Sequence, residues 1–150
     1  MKILTLPVGE IEANCYFAWD EDTKKAVCID PGADPGSLIE NARTLALSVT
    51  AILVTHGHYD HVSALTETAM AWRCPVHMHL ADLVFYNGQE KMIKTYGGGA
   101  IFRIPAAYPE GPITMSPSLS ILMHHTPGHS AGCVCLEAVV QKTLFTGDAL

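Results

Sequence analysis

Thr55-His56-Gly57-His58-Tyr59-Asp60-His61 follows directly on the apolar run Val49 to Val54. A continuous apolar run ending at Gly and polar residues reads as a strand buried on both faces. Its end is therefore a rigid place from which to project side chains. His56 and His58 are two apart on an extended chain, so they can point to the same side, and Gly57 puts no side chain between them. Asp60 and His61 lie further round the turn and point toward a second position. Over a chain of this composition the pattern H-x-H-x-D-H arises by chance about once in a thousand. Imidazoles with one or two carboxylates suit zinc or iron better than calcium or magnesium.

Two later segments repeat the arrangement. Thr126-Pro127-Gly128-His129-Ser130 follows an apolar run and offers His129 from a Pro-Gly turn. Phe145-Thr146-Gly147-Asp148 presents Asp148 in the same way, with Gly147 freeing the backbone before it. Either would pass as an ordinary turn alone. Together they bring three strand ends bearing His or Asp to one edge of a sheet, which is how a metal site is built.

The rest of the chain supports a single mixed α and β domain over residues 1–150, a length sufficient for one core. Strands are expected at Ile3–Leu6, Cys15–Trp19 and Ala26–Ile29. Asp34 as N-cap and Pro35 at the first helical position open a helix whose apolar face is Leu38, Ile39, Ala42, Leu45 and Ala46. After the Val49–Val54 strand, a helix is expected over Val62–Trp72, a strand over Cys74–Met78 and a helix over Ala81–Tyr86. From Asn87 to Pro117 the pattern dissolves around Gly97-Gly98-Gly99 and four prolines; no helix signature follows the glycines, which argues against a phosphate loop. Strands return at Leu119–Met123, Cys133–Val140 and Thr143–Thr146.

Composition narrows the function. Nine basic against fifteen acidic residues give a net charge of −6, with no basic stripe to meet a nucleic-acid backbone. No apolar stretch nears the roughly eighteen residues of a membrane span, and Pro7 and Gly9 interrupt the N-terminal run before it resembles a leader. The five cysteines lack metal-knuckle or redox spacing and read as buried reduced thiols, which points to the cytoplasm. The remaining histidines have plainer readings: surface or core packing for His77 and His79, and for one of His124 and His125 a hydrogen bond to a metal ligand. Tyr59 reads as packing or a substrate contact, and Glu67 as part of a solvated helix face.

The segments T-H-G-H-Y-D-H, T-P-G-H-S-A-G and F-T-G-D-A-L resemble the metallo-β-lactamase-fold superfamily, and within it the glyoxalase II-like (hydroxyacylglutathione hydrolase-like) hydrolases. Asn14-Cys15-Tyr16 and the Ile29-Asp30-Pro31-Gly32 turn match the same group. The resemblance implies an α+β fold, an αβ/βα sandwich with two divalent metal ions between its sheets. By motif position His56, His58 and His129 would hold the first ion, Asp60 and His61 the second, and Asp148 would bridge them. Zinc is the expected metal, with iron or manganese as alternatives. Members of that group continue past the bridging aspartate and supply a last histidine, whereas this chain stops at Leu150. The resemblance thus implies a fold incomplete in its C-terminal half, a weakened second metal site, and an apolar face that a homodimer or domain swap would cover.

The implied chemistry is hydrolysis by water whose pKa the metals lower from 15.7 toward about 7, with Asp60 as the catalytic carboxylate. A thiolate leaves without a strong proton donor, so a small-molecule thioester of the hydroxyacyl-glutathione kind is the expected substrate. His61 also sets the chain apart from β-lactamases in which Arg follows the Asp. The alternatives are a lactonase, a nuclease (disfavoured by the acidic charge), a mononuclear iron dioxygenase acting on glutathione persulfide, and a truncated, inactive metal-binding domain.

Overall fold

The computed structural model describes all residues except Gly98, Gly99, Pro105 and Glu110. Six strands form one sheet in the order β1 (Lys2–Val8), β2 (Ala13–Trp19), β3 (Lys25–Ile29), β4 (Ser48–Leu53), β5 (Val76–Met78) and β6 (Ala106–Ala107). The first three run antiparallel, and β3 through β6 pair in parallel. A second, antiparallel sheet has the order β10 (Thr143–Phe145), β9 (Val134–Ala138), β8 (Leu119–His125) and β7 (Ile113–Ser116). The helices are α1 (Pro35–Thr44), α2 (Tyr59–Val62), α3 (Leu65–Trp72), α4 (Leu80–Gly88) and α5 (Glu90–Gly97). Among the described residues no helix is long and apolar enough to cross a membrane.

The central strands β3 and β4 are buried on both faces, which explains their apolar runs. Ala26, Cys28, Ile52 and Val54 face a core shared with Leu38, Leu65, Ala69 and Tyr86 of the helices. The alternate residues Val27, Ile29, Ala51 and Leu53 face Leu119, Ile121, Val134, Leu136 and Phe145 of the second sheet. Period-two alternation along β3 and β4 therefore divides one sheet between two cores. The β4 strand pairs with β3 on one side and β5 on the other, so the loop that follows it starts from backbone held on both sides.

Several expectations need correction. The helix expected over Val62–Trp72 is two helices, broken at Ser63-Ala64 where the Ala64 N–H donates to the Pro31 carbonyl at 3.0 Å. Asp34 does precede α1, with Pro35 at its start, but its side chain makes no cap; it accepts the Gly9 N–H at 2.8 Å. The stretch from Asn87 to Pro117 is not irregular throughout, since it contains α5, β6 and β7. Gly98 and Gly99 of the glycine run lie outside the described residues. Strand β1 passes through Pro7, which an edge strand tolerates because one side of its backbone needs no partner.

Candidate metal centre

The two sheets meet at the site. The Thr55 carbonyl, two residues past β4, accepts the N–H of Val134 at the start of β9 at 2.9 Å. That bond fixes the His56–His61 loop against the Thr126–Cys133 loop. Gly32, beyond β3, packs so closely on the metal loop that a Cβ there would lie 1.6 Å from the Asp60 carbonyl oxygen. Gln89, at the end of α4, grips the same loop from the other side: its amide donates to the Gly57 carbonyl and its Oε1 accepts the Tyr59 N–H at 3.2 Å. The loop is thus held at both ends and in the middle.

All six residues singled out in the sequence converge. His58 Nδ1 and His129 Nε2 are 2.8 Å apart, and the His56 ring lies 4.7 Å from each of their rings, centroid to centroid. His61 Nε2 lies 3.4 Å from Asp60 Oδ2 and 3.3 Å from Asp148 Oδ1. The other Asp148 oxygen is 3.5 Å from His129 Nε2 and 4.0 Å from His56 Nε2. Asp148 therefore stands between two groups of donors. Ligand atoms of His56, His58 and His129 form one set within 4.8 Å of one another, and those of His56, His61 and Asp148 form a second.

Two residues quoted in the sequence motifs but given no role there, Asp30 and Thr55, set the tautomers. Asp30, just after β3 and only 1% exposed, accepts the Thr55 N–H at 2.7 Å on Oδ1 and the Thr55 hydroxyl at 2.6 Å on Oδ2. Because that hydroxyl proton is committed to Asp30, Thr55 Oγ1 can only accept from His56 Nδ1, 3.0 Å away. The network thus assigns the His56 proton to Nδ1 and leaves a lone pair on Nε2. His61 Nδ1 also lies 3.0 Å from Asp30 Oδ2, which turns its Nε2 toward Asp60 and Asp148. Asp30 stands in the Ile29–Gly32 turn quoted above, but its contacts with Thr55 and His61 lie 25 and 31 residues away.

The electrostatics differ sharply across the cluster. Burial, with the charges of neighbouring imidazoles, holds the His56 pKa down to about 3, so it remains a neutral lone-pair donor. Burial and the nearby His129 also lower His58. Burial pulls on His61 as well, but its hydrogen bond to Asp30 and the charges of Asp30, Asp60 and Asp148 outweigh it and raise the pKa to about 9. Chain groups alone therefore favour positive charge beside Asp60 and Asp148.

A cation fits these residues. His56 Nε2 is buried without a hydrogen-bond partner among the described residues, an arrangement that is costly unless something else accepts its lone pair. It faces other imidazoles and a carboxylate, a nitrogen-rich set suited to zinc or iron.

Residues 8–150 match the metallo-beta-lactamase superfamily. The chain belongs to that family. It is a metallo-hydrolase of the superfamily, and the two-sheet α+β architecture is the superfamily's own. It is 30% identical to hydroxyacylglutathione hydrolase GloC of Haemophilus influenzae, over all of this chain and 72% of that protein. Among solved structures it is similar to BLEG-1, a B3 metallo-beta-lactamase, with a TM-score of 0.84 and 30% identity over 99% of this chain and 73% of that one. TTHA1623 in a di-iron-bound form is similar too, with a TM-score of 0.73 and 31% identity over 95% of this chain and 70% of that one.

The other histidines lie apart from the cluster's ligand sets. His77 stacks on Tyr108, with centroids 5.9 Å apart. His79 precedes α4, where its Nδ1 accepts the Ala81 N–H, and its ring stacks on His125 at 4.0 Å. His124 pairs with Glu137 at 2.7 Å, and His125 donates to the carbonyl of Ala131, two residues past His129. Tyr59 packs on Tyr96 at 4.9 Å. Glu67 is half-buried, not a member of a solvated face. A cavity of about 360 Å³ opens beside Asp60, His61 and Asp148, and Asn14 and Tyr16 also line it.

Proposed function

We propose that residues 1–150 form one hydrolytic domain that cleaves small-molecule thioesters of the hydroxyacyl-glutathione kind. His56, His58 and His129 would hold one divalent ion, Asp60 and His61 the other, with Asp148 shared between them. The observation that carries the reading is Asp148, whose two oxygens reach toward His61 on one side and His56 and His129 on the other. Zinc is the first choice of metal; the di-iron form of TTHA1623 makes iron the alternative. Bound there, the ions would polarise a carbonyl and lower the pKa of a water toward about 7.

The chain's own residues account for the rest. Asp60 lines the 360 Å³ cavity and is placed to accept a proton from the attacking water. Asn14 and Tyr16, which line the same cavity, would orient the acyl group. A thiol leaving group has a pKa near 8.5, so it departs as thiolate without a protonating side chain. The 30% identity to GloC supports this substrate class, and the five free cysteines support a reducing, cytoplasmic setting.

The test is thiol release from a hydroxyacyl-glutathione by the zinc-loaded chain, beside a lactone and a β-lactam, with the iron-loaded chain given glutathione persulfide and oxygen. Preferential release of thiol is expected. Faster turnover of the lactone or β-lactam, or oxygen consumption with the persulfide, would overturn the thioester reading.

A further inference from the structure

The geometry points to Asp82 as a positioning residue that sets the spacing of the two loops carrying His56, His58 and His129. Asp82 lies in the first turn of α4 and is 0% exposed. A buried carboxylate needs donors, and Asp82 draws all three of its hydrogen bonds from those loops. Its Oδ2 accepts the N–H of Gly57, the residue between His56 and His58, at 2.8 Å. The same oxygen accepts the hydroxyl of Ser130, the residue after His129, at 2.7 Å. Its Oδ1 accepts the N–H of Gly132 at 2.6 Å.

Packing leaves little freedom in this arrangement. A Cβ on Gly132 would lie 2.6 Å from the Asp82 nitrogen and 2.9 Å from its carboxyl carbon, so the second loop rests directly on Asp82. Gln89 grips the first loop only. Among the described residues, the Asp82 side chain ties the loop after β4 to the β8–β9 loop through hydrogen bonds to both. The 2.8 Å approach of His58 Nδ1 to His129 Nε2 is the distance it fixes. His61, Asp60 and Asp148 are absent from its hydrogen bonds, so its influence falls first on the set completed by His58 and His129, while His56, common to both sets, is held separately by Thr55. Groups that orient metal ligands commonly change affinity by about 10–100-fold when removed.

This inference rests on the reading that His56, His58 and His129 hold a metal. The experiment is titration of the full chain with Co²⁺, following the visible absorption of the bound ion, for the wild type, Asp82→Asn, Ser130→Ala, His58→Ala and Ile121→Val. Asp82→Asn is expected to weaken one of two binding phases about 10–100-fold. It should also shift that phase's absorption bands and leave the other phase unchanged. Ser130→Ala, which removes one of the three hydrogen bonds, is expected to weaken the same phase by a smaller factor, and it decides the matter if Asp82→Asn does not fold. Ile121→Val, a core change remote from the ligands, controls for lost stability and should keep both phases. Folded Asp82→Asn and Ser130→Ala with wild-type affinities and bands would overturn the role of Asp82. Retention of both phases by His58→Ala would instead overturn the metal assignment itself.

Discussion

Asp30 Oδ2 lies 3.0 Å from His61 Nδ1, and that contact decides which nitrogen of His61 faces Asp60 and Asp148. The same oxygen accepts the Thr55 hydroxyl, and through it fixes the tautomer of His56. One buried carboxylate therefore orients a histidine in each half of the site. Asp30→Asn tests this without straining the backbone, because Asn tolerates the positive φ of 52° found there. The expected result is metal affinity lowered about 10–100-fold, read by competition with a chelator.

The ligand assignment separates the histidines by position rather than by type. His58→Ala and Asp148→Ala should each remove about one equivalent of metal and abolish hydrolysis, since a site that loses a ligand no longer closes. His77→Ala should leave metal content unchanged, because His77 stacks on Tyr108 on strand β5. Loss of metal in His77→Ala with retention in Asp148→Ala would reverse the assignment.

Gly32 is required by close approach. A Cβ at this position would sit 1.6 Å from the Asp60 carbonyl oxygen and 3.3 Å from the His61 Cα, both backbone atoms that cannot swing aside. Gly32→Ala is expected to destabilise the fold by about 3 kcal/mol, measured by denaturant unfolding, and to weaken metal binding at Asp60 and His61.

Asp20 supplies a pH dependence remote from the metal ligands. The Ser116 and Ser118 hydroxyls, 2.5 and 2.6 Å from Oδ2, with the N–H groups of Thr23 and Asp22, hold its pKa well below the usual carboxylate range. A carboxyl whose folded pKa is depressed contributes its full stability above the unfolded value, near 3.9, and loses it as pH falls toward the folded one. Asp20→Asn should therefore melt below the wild type at neutral pH, and the gap should narrow as the pH drops below about 4. A gap that widens on acidification would contradict the role given to Asp20.

The site was legible because its ligands come in short local patterns. His56, His58, Asp60 and His61 share one turn whose spacing marks them, whereas His129 and Asp148, each after a glycine in an ordinary-looking turn, stand out only in combination with it. Their supports were not legible. Asp30 meets Thr55 across 25 residues, and Asp82 meets Gly57 across 25 and Gly132 across 50. A lone Asp in a helix or turn carries no sign of such partners. The fold divides in the same way. Strands β2, β3 and β4 were visible from apolar runs, whereas β6 has two residues and exists by pairing with β5. The break between α2 and α3 was hidden because the bond from Ala64 to Pro31 is a tertiary contact.

The central claim is that two groups of ligands, sharing Asp148, hold two metal ions. The most direct test is metal content per chain, by plasma mass spectrometry on protein loaded with zinc and passed into metal-free buffer. The account predicts two equivalents in the wild type and loss from both His58→Ala and Asp148→Ala. Fewer than one equivalent in the wild type, or two equivalents retained in both variants, would contradict it.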